Sequence, residues 1–381
     1  MKAKGIEKVL RTGGAGFIGS HTVDLLVEKG YYVKVLDNLE PQVHGDKGIP
    51  EYLNKNIDFI KGDVRDKELM KDILQDVDAV IHLAAMVGVT QSMYQIEHYI
   101  DVNTKGTSVL LDLIANGRHN LKKIVVASSM SIYGEGRYHC QRCKIDFYPS
   151  LRDEEQLKKG IWDHLCPNCH SFLVPLPTDE NKPSAPMSIY AMSKRHQEEM
   201  CLLIGRTYGI PTVALRYFNV YGSRQSLSNP YTGACAIFSS RIMMNKPPII
   251  FEDGHQVRDF IHVKDVAMAN LKALVKNRAN YSAINIGTGM PASILKLAEI
   301  LIEIYNSNLK PRIIGLYRVG DIRHCFAETK KAEELLDFTP NIGLKEGLIE
   351  LSSWVRTQRL TIDIFDKALK ELKEKHLLSS S

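Results

Sequence analysis

A tyrosine and a lysine four residues apart, Tyr190 and Lys194 in Ser188-Ile-Tyr-Ala-Met-Ser-Lys194, carry side chains suited to proton transfer coupled to hydride chemistry. One helical turn puts both on the same face. A phenol is a weak base at neutral pH, and an ammonium beside it favours the phenolate, so the pair reads as a proton shuttle with the tyrosine pKa drawn down. The spacing alone is common on solvated helix faces. Its meaning depends on a site assembled by the rest of the chain.

The N-terminus supplies one. Lys8-Val-Leu10 ends a short strand pattern that runs into Thr12-Gly-Gly-Ala-Gly-Phe-Ile-Gly19 and an amphipathic helix to about Glu28. Gly13, Gly16 and Gly19 allow a tight turn, close approach of backbone to a pyrophosphate, and helix packing on strand, with Phe17 and Ile18 opening the helix. A second strand, Tyr31–Leu36, ends at Asp37, where a carboxylate accepts the ribose hydroxyls of NAD and repels the extra phosphate of NADP. Gly62-Asp63-Val64 and His82-Leu83-Ala84-Ala85 end the third and fourth strand patterns, at the carboxyl edge where open α/β sheets bind ligands. NAD is the expected cofactor. Arg11 fits poorly: it ends the first strand, where burial between helical layers favours an apolar side chain, and it must snorkel or find a partner if its position means anything.

Strand-like and helix-like segments alternate over about the first 220 residues, with further strands at Ala79–Leu83, Lys123–Ala127 and Thr212–Arg216. This predicts a doubly wound parallel (Rossmann) sheet over residues 1–220, to which parts of 257–290 return. After Asn219 the alternation loosens, with turns at Asn229-Pro230 and Pro247-Pro248, and 221–360 reads as a smaller substrate-binding lobe. Residues 361–381 read as a C-terminal surface helix, from Thr361 to about Leu378, and a tail. With 381 residues and 44% hydrophobic content the chain can bury a large core. No apolar run reaches membrane-spanning length and the N-terminus has no signal-peptide pattern, so a cytoplasmic protein without a membrane partner is expected. The net charge of +5 is scattered, which does not suggest nucleic-acid binding.

Cys140-x-x-Cys143 and Cys166-x-x-Cys169 stand 22 residues apart in an insert, 137–173, between the fifth strand and the Tyr190 helix. The spacing reads as a four-thiolate structural zinc knuckle, slightly longer than the usual ribbon interval. Paired disulfides or redox use, and no metal at all, remain open; His139 and His170 flank the pairs as substitute ligands. Cys201, Cys235 and Cys325 are isolated and read as small buried side chains.

Taken in order, Thr12–Gly19, His82–Ala85, Ser128-Ser129 before Tyr133-Gly134, Tyr190-x-x-x-Lys194, Arg216-Tyr-Phe-Asn219 and Arg258-Asp-Phe-Ile-His262 resemble the extended short-chain dehydrogenase/reductase family, within it the nucleotide-sugar 4-epimerases. The resemblance covers most of the chain except the cysteine insert and the last twenty or so residues. It implies a catalytic set of Ser129, Tyr190 and Lys194. It also implies an NAD site that adds Asn38, Asp63, Val64, Leu83, Ala84, Ala85, Asn103 and Phe218 to the glycines and Asp37, with Asn103 of Asp101-Val-Asn-Thr104 also at a family position that buttresses the catalytic region. Substrate contacts are implied at Val87, Ser131, Asn219, Arg258, Arg318 and Asp321, besides Ser129 and Tyr190. The related 4,6-dehydratases carry Asp-Glu after the catalytic hydroxyl residue, whereas Met130-Ser131 stand here, so the expected reaction stops at oxidation and return of hydride. The implied substrate is a dTDP- or UDP-linked sugar. The apolar Met86-Val-Gly-Val89 stretch favours a 6-deoxy sugar, hence dTDP-L-rhamnose and its C4 epimer, with UDP-glucose/galactose as the alternative and a keto-sugar reductase or a non-catalytic nucleotide-binding protein behind it. A homodimer through the Tyr190 helix and its predecessor near 93–115 is expected by resemblance.

Overall fold

The computed structural model describes residues 2–45, 48–227, 229, 231, 233–358 and 364–380. Seven parallel strands lie in the order Ser282–Ile286, Thr212–Tyr217, Lys123–Ser129, Ala79–His82, Lys8–Thr12, Tyr32–Asp37, Asp58–Lys61. The central strand Lys123–Ser129 is buried along its whole length, as its Ile-Val-Val-Ala run requires of a strand covered on both faces. Helices Phe17–Glu28 and Val263–Val275 cover one face, their Val23, Leu26, Val266 and Ala269 meeting Val9, Val35 and Val213. On the other face, Lys67–Gln75, Gly106–Asn116 and Ile189–Thr207 bring Met70, Ile73, Leu110, Ile114 and Cys201 onto Leu10, Val80 and Val126. The strand order reverses between Lys8–Thr12 and Ala79–His82, which opens a crevice at their carboxyl ends.

A second core gathers around strands Asn219–Tyr221, Val257–His262 and Pro291–Ser293, with His324–Cys325 alongside. Leu297, Leu301, Leu348, Leu351 and Val355 fill it from helices Ile294–Ile304 and Leu344–Arg356. Within 257–290, Val263–Val275 packs on the large sheet and Ser282–Ile286 forms its edge strand, whereas Val257–His262 belongs to the second core. A stretch placed by the sequence pattern in the second lobe also packs on the large sheet: Ala332, Leu336 and Phe338 close the first core beside that edge strand.

The cysteine insert folds as a three-stranded antiparallel sheet, Ile145–Phe147, Arg137–Cys140, Val174–Leu176, its last strand lying just past residue 173. The C-terminal segment differs most from expectation. Its described helix spans Ile364–Glu374, and Leu378–Ser380 pairs antiparallel with Leu316–Arg318; the expected start at Thr361 and the turn residue Pro230 lie outside the described residues. It is an amphipathic helix at the surface: Lys370 and Glu374 face solvent, while Ala368 and Leu372 are buried against the second lobe. Lysines at helical spacing revealed the solvated side, while the mate of the apolar side comes from residues distant in sequence.

Arg11 is fully buried among the helices on the Phe17–Glu28 face. Its guanidinium donates to the Ile81 carbonyl (3.2 Å) and to Thr22 Oγ1 (3.3 Å), its Nε has no partner, and burial lowers its pKa to about 9. It neither snorkels nor pairs with a carboxylate. Among the described residues no helix is long and apolar enough to cross a membrane.

Candidate active site

Two adjoining cavities occupy the crevice, and Tyr190 and Asn219 line both. The first, about 390 Å³, is bounded by Gly13, Gly16, Phe17, Ile18, Gly19, Asp37, Asn38, Asp63, Val64, Leu83, Ala84, Ala85, Val87, Ser129, Lys194 and Phe218. The glycines are needed sterically. Gly13 has φ +67°, and a Cβ there would stand 2.9 Å from the Ala84 nitrogen; a Cβ on Gly19 would stand 2.1 Å from the Gly13 carbonyl oxygen. A Cβ on Gly16 would meet nothing nearer than 3.5 Å, so the turn is open toward the cavity at the helix start. Asp37 accepts from the backbone nitrogens of Ala15 (3.0 Å) and Leu39 (2.9 Å), one on each carboxylate oxygen, which fixes the group and leaves lone pairs to accept further donors. Asp63 is held by Arg65 and Asn38, and the Arg65 hydrogen bond above all lowers its pKa to about 2.

Tyr190 and Lys194 sit in the first turns of the Ile189–Thr207 helix, which Ser188 caps by accepting from Ala191 N at 3.1 Å. The expected lowering of the tyrosine pKa is not what the surroundings produce. Burial raises it, opposed by a hydrogen bond with Ser129, and burial lowers Lys194 to about 7. Neither shift has the other residue among its causes, and Lys194 Nζ donates instead to Gln197 Oε1 at 2.7 Å. Gln197 was not read from the sequence. It belongs to a buried relay in which Gln197 Nε2 donates to Thr107 Oγ1 (2.7 Å), Thr107 meets His82 Nε2 (3.0 Å), and His82 Nδ1 meets Thr12 Oγ1 (2.8 Å). Burial keeps His82 neutral, its pKa lowered to about 3. The relay therefore ties the glycine turn to the lysine. Its only sequence signal was a polar residue on each of several otherwise apolar faces.

Asn103 needs correction as a cofactor contact. Fully buried in the π-helical stretch Ile100–Lys105, it accepts from Met86 N (2.7 Å) and donates to Met86 O and Ser193 Oγ, so it fastens the chain after the fourth strand to the Tyr190 helix and does not line the cavity. Ser129 Oγ accepts from both the backbone and the hydroxyl of Ser131, at 3.2 and 3.0 Å.

The second cavity, about 360 Å³, is lined by Ser131, Tyr190, Asn219, Arg258, Arg318 and Asp321, and its walls are largely apolar. Val89, Met93, Ile237 and Phe251 form part of the wall, and Phe365, Leu369 and Leu372 of the C-terminal helix close it, a contribution the sequence reading missed. Val87 lies in the first cavity instead. Asn219 Oδ1 is buried without a partner, aimed where a donor is wanted. Arg258 is already committed, donating to the carbonyls of Val257, Ile322 and Arg323 at 2.7–2.9 Å, and Arg318 pairs with Asp321. The two arginines and Asp321 share one rim.

The four insert cysteines place their Sγ atoms within 4.8 Å of one another. Cys140–Cys169 and Cys143–Cys166 are 3.5 and 3.8 Å apart, too far for disulfides and close to the edge, about 3.8 Å, of a tetrahedron with Zn–S near 2.3 Å. Both Cys-x-x-Cys turns repeat one geometry: Lys144 and His170 have φ of 59° and 57°, and their nitrogens donate to the Cys140 and Cys166 carbonyls at 2.8 and 2.9 Å. His139 turns away to Asp146 (2.6 Å).

Residues 10–151 match the GDP-mannose 4,6 dehydratase family and residues 167–287 the NAD dependent epimerase/dehydratase family. A Methanocaldococcus jannaschii protein, provisionally named a UDP-glucose 4-epimerase, is 37% identical over 93% of this chain and 100% of its own length. The dTDP-L-rhamnose 4-epimerase of Burkholderia thailandensis is 34% identical over 92% of this chain and 95% of its own. The crystal structure of a UDP-glucose 4-epimerase with UDP-glucose from Thermotoga maritima superposes with a TM-score of 0.75 at 33% identity, covering 92% and 98% of the two chains.

Proposed function

We propose that this chain, which belongs to the extended short-chain dehydrogenase/reductase family of NAD-dependent nucleotide-sugar 4-epimerases, inverts C4 of a dTDP-linked 6-deoxy sugar, interconverting dTDP-L-rhamnose and its C4 epimer. The observation that carries the reading is the meeting of the two cavities at Tyr190: a dinucleotide-shaped cradle on one side and a sugar-nucleotide-sized cleft on the other. The glycine turn, Asp37 and the open helix start fit NAD, which supplies a hydride acceptor and donor next to C4.

The chain's own residues do the rest. Tyr190, whose phenolate the positive charge of bound NAD would favour against the burial that raises its pKa, takes the proton of the 4-hydroxyl, Ser129 holds that oxygen, and Lys194, with a pKa lowered to about 7, exchanges a proton with its surroundings at neutral pH. Asn219, Arg258, Arg318 and Asp321 form the end of the cleft suited to the diphosphate and nucleotide: Arg318 keeps Nη1 beyond its pair with Asp321 for a phosphate oxygen, Arg258, committed to carbonyls, adds its positive charge, and the unpaired Asn219 oxygen takes a donor. The 4-keto sugar turns within the cleft, and proton and hydride return to its other face. Met130-Ser131 after Ser129 offer no carboxylate for elimination, which supports epimerisation over the dehydration named by the first matched family.

The apolar wall of Val89 and Met93 supports a 6-methyl over a hydroxymethyl group. The 37% identical relative and the UDP-glucose complex support UDP-glucose as the second reading. The thiolate spacing supports structural zinc at Cys140, Cys143, Cys166 and Cys169, holding the insert and leaving no open coordination position. A cytoplasmic homodimer is part of the proposal; exposed Met192 and Leu203 on the Tyr190 helix, with Met93 and Ile96 before it, support that surface. The test incubates the purified protein with dTDP-L-rhamnose, UDP-glucose and UDP-galactose and follows products by chromatography. Turnover of dTDP-L-rhamnose without added cofactor is expected, and Tyr190→Phe should reduce kcat by about 10²–10⁴-fold while bound NAD is retained. Turnover of UDP-glucose but not dTDP-L-rhamnose selects the second reading, and full activity of Tyr190→Phe removes the proposed base.

A further inference from the structure

The cysteine insert stands outside the catalytic set, yet several of its side chains bond to the segment that lines the cleft. Arg152, in the insert, donates from Nη1 and Nη2 to the two oxygens of Glu252, each at 2.9 Å, and from Nη2 to the Asp321 carbonyl at 3.1 Å. Its Nη1 also donates to the Trp162 carbonyl at 2.9 Å, so one buried guanidinium joins both ends of the insert's irregular stretch to the cleft rim. Asp163 Oδ1 accepts from Arg323 Nε at 2.7 Å and lies 3.2 Å from His324 Nε2. The Trp162 ring meets the Tyr317 ring edge-on, at 6.2 Å between centroids. From the insert's first strand, Tyr138 gives its hydroxyl proton to Glu135 and accepts from His324 N, while Glu135 also accepts from Arg323 N at 2.7 Å.

Apart from Glu135 and Glu252, these partners outside the insert fall within one stretch of eight residues. Tyr317, Asp321, Arg323 and His324 belong to the segment whose residues 318–322 line the cleft, and Arg258 donates to the carbonyls of Ile322 and Arg323. The segment has no regular pairing of its own between Arg318 and His324, so its position is set by what grips it: the insert on one side, and on the other Asp253 (2.7 and 2.8 Å) and Glu252 (2.9 Å), which hold Arg323. Trp162 and Asp163 lie within four residues of Cys166, and the Cys166 turn in turn fixes the chain around them through Leu173 N to His164 O at 2.8 Å.

We propose that the insert is a positioning device for the nucleotide end of the cleft: the four-thiolate cluster holds Trp162 and Asp163, which with Arg152 hold the Arg318–Arg323 segment and through it Arg258. Arg152, Trp162 and Asp163 are positioning residues; none lines the cleft. The inference rests on the reading of that cleft as the sugar-nucleotide site. It predicts that the cluster governs substrate affinity and spares the hydride step, since Ser129, Tyr190 and Lys194 are held by other elements.

The test uses the full chain with its bound cofactor. Binding of dTDP and of UDP is measured by titration calorimetry for the wild type, for Trp162→Ala and Asp163→Ala, and for wild type stripped of metal with a thiol reagent and chelator; metal and NAD content are assayed on each. Each variant should keep its metal and NAD, bind the nucleotide about tenfold more weakly, the size of one lost charge-assisted contact, raise KM by the same factor and leave kcat within about twofold. Metal removal should weaken binding similarly, and Asp163→Ala in the stripped protein should add nothing, because both act through one clamp. Wild-type nucleotide affinity in metal-loaded Trp162→Ala and Asp163→Ala overturns the proposal, as does an Asp163→Ala effect that multiplies with metal removal. A wild-type protein that binds neither nucleotide overturns the function proposed above instead.

Discussion

Replacing Arg11 with methionine should make the protein more stable. The wild-type guanidinium is fully buried, has no carboxylate partner, and makes two long hydrogen bonds of 3.2 and 3.3 Å while its Nε goes unpaired. Burial lowers its pKa from 12.5 to about 9; at about 1.36 kcal/mol per unit, holding the charge there costs on the order of 5 kcal/mol before the hydrogen bonds are counted. Those two bonds and the stem's packing return part of it, and methionine retains most of the stem volume without the charge. The net gain expected is about 1–3 kcal/mol, within the range seen when buried charges are replaced by well-packed apolar groups. Thr22 stays satisfied through the Ile18 carbonyl and Asn270. The assay is urea unfolding followed by Trp162 and Trp354 fluorescence, with bound NAD quantified after denaturation. Stabilisation with unchanged NAD content is expected. A loss of more than about 1 kcal/mol, or a variant that purifies without NAD, would refute the reasoning and make Arg11 a support of the glycine turn.

Lys194→Met tests the buried lysine through pH. Its folded pKa of about 7 lies below the ordinary lysine value of 10.5, so between those values the unfolded chain binds the extra proton and wild-type stability rises with pH. The wild type should therefore gain on the variant from pH 7 toward 10.5, by up to about 1.36 kcal/mol per pH unit, and show no relative change below pH 6; parallel urea-unfolding curves across that window would contradict the burial assigned to Lys194. Gly19→Ala places a methyl 2.1 Å from the Gly13 carbonyl oxygen, so the turn must open. The expected result is folded protein with little bound NAD or protein lost to the insoluble fraction, and full NAD occupancy measured after purification would sink the cradle as described.

How far the sequence went differs from residue to residue. The glycine turn and Asp37 were legible because each does its work within one strand-turn-helix unit, where spacing along the chain nearly fixes spacing in the fold. Tyr190 and Lys194 were legible for the same reason, one helical turn apart. Gln197 was not, since its meaning comes from Thr107 and His82 on other elements. For Asn103 the motif implied both a cofactor contact and a buttress of the catalytic region, and its bonds to Met86 and Ser193 fit the buttress.

The sequence by itself determined the doubly wound fold, the strand that ends at each site residue, and the pairing of the four cysteines into two equivalent turns, because these follow from local periodicity, glycine geometry and short spacings. Only the tertiary structure decided that burial, not the neighbouring ammonium, sets the proton affinities of Tyr190 and Lys194. It alone brought Phe365, Leu369 and Leu372 over the cleft from the far end of the chain, and set Arg152 against Asp321. Desolvation and long-range contact depend on everything packed around a group, and no stretch of sequence near that group records it.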